Sequence, residues 1–145
     1  MRSKKNATPT EAYTLDTSAL LALWNDEPGA GAVEEVLRRA QAGEVSAYYS
    51  FMTAMELYYG FRRRHGEYSA RELYESLSYL PAERIWADGP LLIQAAEIKS
   101  ENRLSVADAW VAATAMVTHS TLVHKDPEFE ALEGSVKLKA LPYKA

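Results

Sequence analysis

The stretch Tyr13-Thr14-Leu15-Asp16-Thr17-Ser18-Ala19-Leu20-Leu21-Ala22 decides how the chain is read. Its first residues predict a short buried strand over 12–15 that stops at Asp16, and Ser18 to Trp24 predict a short helix. An acid therefore stands where a strand gives way to a helix. Three further acids have comparable settings: Thr53-Ala54-Met55-Glu56, Ser105-Val106-Ala107-Asp108 and Thr121-Leu122-Val123-His124-Lys125-Asp126-Pro127. If the strands are parallel and share one sheet, all four junctions lie at its carboxyl edge, where such sheets bind ligands. Four carboxylates gathered there repel one another unless a cation sits between them. The simplest such cation is Mg²⁺ or Mn²⁺, held by hard oxygen ligands.

Working outward, residues 30–42 predict a helix with Val33, Val36, Leu37 and Ala40 on one stripe, closed by Gly43. A strand is expected at 45–49 and a helix at 53–64, ending at His65-Gly66. Residues 69–79 predict a further helix, with Ser69 as its cap and Leu73, Leu77 and Leu80 facing inward. Then come a strand at 84–86, helices at 91–98 and 105–118, a strand at 122–124 and a helical turn at 128–132. Residues 136–141 alternate apolar and polar side chains, as an edge strand does. Strands alternating with helices imply an α/β fold in three layers, with a central, mainly parallel sheet and right-handed crossovers. One domain is expected over 12–145. The basic segment 1–11 has no apolar core of its own, so it reads as a flexible leader rather than a signal peptide.

Composition narrows the function classes. Hydrophobic residues are 48% and charged residues 25% of the 145, as in soluble globular proteins. With no cysteine there is neither a disulfide framework nor a thiolate metal site, which suits a reducing, cytoplasmic setting. No apolar run is long enough for a bilayer, so no membrane partner is expected. Sixteen basic and 20 acidic side chains leave a net charge of −4, a poor match for bare nucleic acid. That counts against a simple nucleic-acid-binding module. It does not count against an enzyme whose acids hold divalent ions, because the metal then supplies local positive charge.

Each acid also has an ordinary structural explanation. Thr53 with Glu56, and Ser105 with Asp108, have the spacing of a capping box. Asp126-Pro127 matches an N-cap followed by proline at the first helical position, and Asp16 could cap the helix after it. Glu34, Glu35, Glu72 and Glu75 fall on solvated helix faces. What singles out the four is their joint placement.

Four segments taken together resemble PIN-domain ribonucleases, most of all VapC-type toxins. They are Leu15 to Ala22, Thr53 to Gly60, Leu104 to Thr114 and Thr121 to Phe129, and the likeness spans roughly residues 12–141. The resemblance implies a Mg²⁺- or Mn²⁺-dependent ribonuclease acting on RNA, with Asp16, Glu56, Asp108 and Asp126 as catalytic and metal-holding acids. Ser18 would support the first acid, and Glu128 and Glu130 are alternatives for the fourth. It also implies a homodimer and a small antitoxin that covers the acidic cleft. Metal-assisted phosphodiester hydrolysis needs no side-chain nucleophile. No Ser/His/Asp arrangement is visible, and His65, His119 and His124 lack zinc spacing. His124 lies in a buried-strand pattern and reads as a core or edge residue.

Candidate RNA contacts are Arg62, Arg63 and Lys125; Arg64 completes the arginine run, which equally suits a helix end. Leu57, Tyr58, Tyr59 and Phe61, beside Leu73, Tyr74 and Leu77, exceed what one buried face requires and are expected to mark an interface. Two other readings stand beside the toxin: a stand-alone PIN nuclease of RNA processing or turnover, and a non-catalytic PIN scaffold.

Overall fold

A computed structural model describes residues 11–144. The chain runs β1 (Ala12–Leu15), α1 (Thr17–Trp24), α2 (Ala30–Gln41), β2 (Ser46–Ser50), α3 (Phe51–His65), α4 (Glu67–Ser76), β3 (Glu83–Ile85), α5 (Gly89–Glu101), α6 (Val106–Val117), β4 (Thr121–His124) and β5 (Leu138–Ala140). Short 3-10 segments follow α4, at Leu77–Tyr79, and β4, at Pro127–Leu132. The five strands form one sheet in the order β3-β2-β1-β4-β5, every pair parallel.

Side chains alternate across a strand, and that alternation builds the three layers. Leu15 pairs in register with Val123, and both join Ala47 and Tyr49 beneath α1, α2 and α3. Leu122 points the other way, into a second cluster with Val111, Ala112, Leu91 and Ile98 of α5 and α6. Strand order reverses between β1 and β4, so a crevice opens outside their carboxyl ends. The pairing runs right up to that crevice, since Asp16 N donates to Val123 O at 3.0 Å.

Gly29 opens α2 with φ +101°, and a Cβ there would lie 2.9 Å from Leu141 Cβ. Both backbone conformation and close approach demand glycine at this position.

Several expected boundaries move. α3 begins at Phe51, capped by Ser50, whose Oγ accepts from Met52 N at 3.0 Å. β2 therefore passes straight into the helix, Thr53 is buried rather than a cap, and Glu56 is its sixth residue rather than part of a capping box. Gly66 caps α4 with φ +92°, so Ser69 lies inside that helix and does not cap it. β5 is confined to Leu138–Ala140, at the sheet edge.

The apolar surplus expected on α3 and α4 divides. Leu57 and Leu77 are core residues, whereas Tyr59 and Tyr74 are exposed. The proposed leader lies outside the described residues except for Glu11, which pairs with Arg39 at 2.9 Å. Among the described residues no helix is long and apolar enough to cross a membrane.

Candidate active site

Asp16 ends β1 and caps α1, only 4% exposed. Its Oδ2 accepts from Ser18 N at 3.0 Å and from the Ser18 hydroxyl. Ser18 Oγ in turn accepts from Lys125 N at 2.8 Å, so one hydroxyl ties the end of β1 to the end of β4 across the crevice. Burial pushes the Asp16 carboxyl up to about 6, opposed by its bonds to Ser18 and reinforced by the charge of Glu56.

Glu56 reaches the same place from α3. Thr17 Oγ1 donates to Glu56 Oε1 at 2.6 Å and lies 3.0 Å from Thr53 Oγ1. Residues flanking Asp16 on the α1 turn thus hold two acids that are 40 positions apart in sequence.

Asp108 stands in the first turn of α6, where Ser105 Oγ accepts from Asp108 N at 3.0 Å. That is half of the expected capping box. Among the described residues the Asp108 carboxylate makes no bond back to Ser105, which leaves it free to face the other acids. Burial, then the charges of Asp16, Asp126, Glu56 and Glu128, push it up to about 7. Crowded like charges favour the protonated form.

Asp126 caps the 3-10 segment through Oδ1, which accepts from Glu128 N at 2.9 Å. Carboxylate oxygens of Asp108, Asp126 and Glu128 all lie within 4.8 Å of one another. Glu130, the other alternative, turns away and accepts from Tyr143 OH at 2.8 Å. Glu128 therefore joins the cluster beside Asp126 rather than replacing it.

Among the described residues, no lysine, arginine or histidine forms an ion pair with any of these five acids. The donors on offer are carboxylate and hydroxyl oxygens, without sulfur. That set fits a hard divalent cation such as Mg²⁺ or Mn²⁺ and does not suit a softer thiolate-preferring metal.

The basic residues do not all behave as the sequence suggests. Lys125 is not available to RNA: its side chain is 3% exposed, and Nζ sits 3.1 Å from Glu27 Oε1 and 2.9 Å from Pro28 O. It is a buried structural lysine, because leaving that charge unpaired would be costly. Arg62 and Arg63 are exposed, and the Arg63 guanidinium lies over the Tyr59 ring at 5.2 Å. Arg64, not singled out from its run, borders a cavity of about 410 Å³ together with Ser18 and Asp126. Three consecutive arginines point in different directions around a helix, and nothing local says which meets the crevice.

His124 is fully buried, its ring tilted 60° to that of Phe129 with centroids 5.2 Å apart, as expected of a core histidine. Its Nδ1 accepts from Asp126 N at 3.2 Å, so the proton of the neutral ring belongs on Nε2. Burial lowers its pKa, and Nε2 is the one buried side-chain polar atom without a partner among the described residues.

The sequence model of the PIN domain matches residues 13–134, which includes all five acids. The chain belongs to the PIN domain family. Solved structures share this PIN fold at low sequence identity. VapBC2 from Rickettsia felis, bound to a DNA fragment from its promoter, aligns at TM-score 0.73 and 16% identity, over 90% of this chain and 99% of that one. DNA-bound VapBC from Salmonella typhimurium aligns at 0.72 and 19%, over 90% and 98%. VapC20 from Mycobacterium tuberculosis, a sarcin-ricin loop cleaving toxin, aligns at 0.63 and 20%, over 82% and 93%. No curated protein sequence matched this one.

Proposed function

We propose that this PIN domain is a Mg²⁺- or Mn²⁺-dependent endoribonuclease and the toxin of a toxin–antitoxin pair. One observation carries the reading: carboxylate oxygens of Asp108, Asp126 and Glu128 lie within 4.8 Å of one another, Asp16 and Glu56 bring further negative charge to bear on Asp108, and among the described residues no lysine, arginine or histidine pairs with the group. A folded chain that concentrates negative charge in this way is built to receive positive charge from outside.

In this reading Asp16, Glu56, Asp108 and Asp126 hold the ion, with Glu128 beside them. When bound, a divalent ion supplies water activation and stabilises charge on the scissile phosphate. The protein supplies position. Ser18 fixes the Asp16 carboxylate and links it to β4, Thr17 aims Glu56, and the Asp126 backbone is held by His124 Nδ1. None of these residues needs to act as a nucleophile.

The toxin assignment draws support from the structures that share the fold, several of which are toxin–antitoxin complexes. An antitoxin partner, a cytoplasmic setting and an RNA substrate follow from it. The homodimer draws support from exposed Met55, Tyr59, Trp86, Leu92, Ile93 and Val106, large apolar side chains of the kind that interfaces cover.

The deciding experiment incubates purified protein with mixed RNAs in Mn²⁺, in Mg²⁺ and with chelator, beside Asp16→Asn. Cleavage that requires metal and is lost in the variant is expected. Cleavage that survives both chelation and the substitution sinks the reading. Sedimentation at micromolar concentration tests the dimer, and a monomer there removes it.

A further inference from the structure

The cavity of about 410 Å³ beside the acids has a charge balance unlike the rest of the protein. Arg64, Lys125 and Lys144 border it, against the carboxylates of Glu27 and Asp126. The whole chain carries −4. Glu27 is already compensated: Lys125 Nζ lies 3.1 Å from one oxygen and Lys144 Nζ 3.3 Å from the other. Those bonds hold its carboxyl below the usual glutamate range. Arg64 has no carboxylate partner among the described residues, so its guanidinium fork is open. Such a fork matches the oxygens of a phosphate.

The cavity is also continuous with the acid cluster. Ser18 and Asp126 line both, and Leu21 and Pro127 give it apolar walls. Its volume falls within the range of about 300–1,000 Å³ typical of small-molecule pockets. An RNA strand whose scissile phosphate lies over the acids must place a neighbouring nucleotide somewhere. This cavity offers cationic donors for a phosphate and apolar surface for a sugar or base.

We propose that the cavity is the subsite for the RNA nucleotide adjoining the scissile bond, with its phosphate held by Arg64 and Lys144. This rests on the ribonuclease reading above. A carboxylate-bearing segment of a protein partner would use the same fork, and the test separates the two.

The test uses full-length protein carrying Asp108→Asn, so that RNA is bound without being cut, and a fluorescein-labelled single-stranded RNA octamer of mixed sequence. Affinity is measured across a series of NaCl concentrations with Arg64→Gln and, as a control on α4 outside the cavity, Arg71→Gln, an exposed arginine paired with Glu67. Arg64→Gln is expected to weaken binding about tenfold. It should also reduce the slope of log affinity against log salt by about 0.7, the loss of one single-strand phosphate contact. Arg71→Gln should change affinity by less than about twofold. Matching thermal melts show that both variants fold.

Equal losses in the two variants overturn the subsite, because they mark only general attraction. So does unchanged RNA binding by Arg64→Gln when its affinity for a fluorescein-labelled hexaglutamate peptide falls. Cleavage of the same octamer by the unsubstituted protein in Mn²⁺ is measured in parallel. If that protein cuts while the Arg64→Gln slope stays unchanged, only the subsite fails. If it neither binds nor cuts, the ribonuclease reading fails with it.

Discussion

Two regions of this molecule hold charge without an ion pair among the described residues, and they solve the problem in opposite ways. At the edge strand β3, Arg84 Nε donates to Tyr49 OH at 3.2 Å and Nη1 donates to Tyr74 OH at 3.0 Å. Its guanidinium lies 4.9 Å from the Tyr74 ring, 5.2 Å from Trp86 and 5.6 Å from Tyr49. Aromatic faces and neutral hydroxyls are enough to hold a delocalised cation. At the crevice between β1 and β4, five carboxylates find, among the described residues, only the Ser18 and Thr17 hydroxyls, backbone N–H groups and one another. Here neutral donors do not offset burial and mutual repulsion at every acid, and Asp108 moves to about 7. The arginine region is complete by itself, and in the proposed reading an ion completes the acid region.

The largest expected effect separates these roles. Asp108→Asn should lower RNA cleavage by more than about a hundredfold, beyond what losing an outer-shell partner costs a metal site. The backbone bond to Ser105 survives this substitution, so the metal-free melting temperature should hold or rise. Cleavage assays and melts on the same preparation check both, and a large fall in melting temperature would show that Asp108 serves the helix cap.

Proton linkage gives the next effect. Asp16 and Asp108 are raised to about 6 and about 7, above the unfolded value of about 3.9. A raised folded pKa means that the folded state binds protons more tightly, so stability is full below about 4 and is lost as pH rises through the folded values. Without metal, melting temperature should decline from about pH 4 to about pH 7 through these groups. Mn²⁺ should restore it at pH 7.5 and do little at pH 5, because protons then compete for the same oxygens. A Mn²⁺ effect that is equal at both pH values would break the contrast between the two regions.

Thr17→Val tests whether the hydroxyls position the acids. It keeps the shape but removes the donor to Glu56, so cleavage should fall about tenfold to a hundredfold, with a stability loss of about 1 kcal/mol. Cleavage kinetics and urea denaturation measure the two halves. The smallest functional effect belongs to the other region. Arg84→Leu should cost about 1–2 kcal/mol in urea denaturation through its lost cation–π contacts, while cleavage stays within about twofold. If Arg84→Leu abolished cleavage with the fold intact, the two regions would not be independent.

Much of this was legible in the chain. Apolar runs broken by acids placed β1 at 12–15 and β4 near 122–124, and both strands lie there. Alternation of strands and helices implied a parallel sheet, and the sheet is parallel throughout. Those signals are short-range: a period of two or 3.6 residues, a proline, a capping side chain. Position along the chain was enough to order the acids Asp16, Glu56, Asp108 and Asp126, and parallel topology was enough to put strand ends on one edge.

Tertiary structure decided which neighbour of each candidate reaches the crevice. Ser50 rather than Thr53 caps α3 because β2 enters the helix without a loop, which sets Glu56 against Thr17. Lys125 looked like an RNA contact beside Asp126, but its partner Glu27 is 98 positions away and buries it. Glu128 and Glu130 are equivalent in sequence and differ only because Tyr143 holds one of them aside. Sequence spacing fixes where a backbone turns, whereas the direction of one charged side chain depends on distant partners and on solvent access, which exist only once the sheet and its two helical layers have closed.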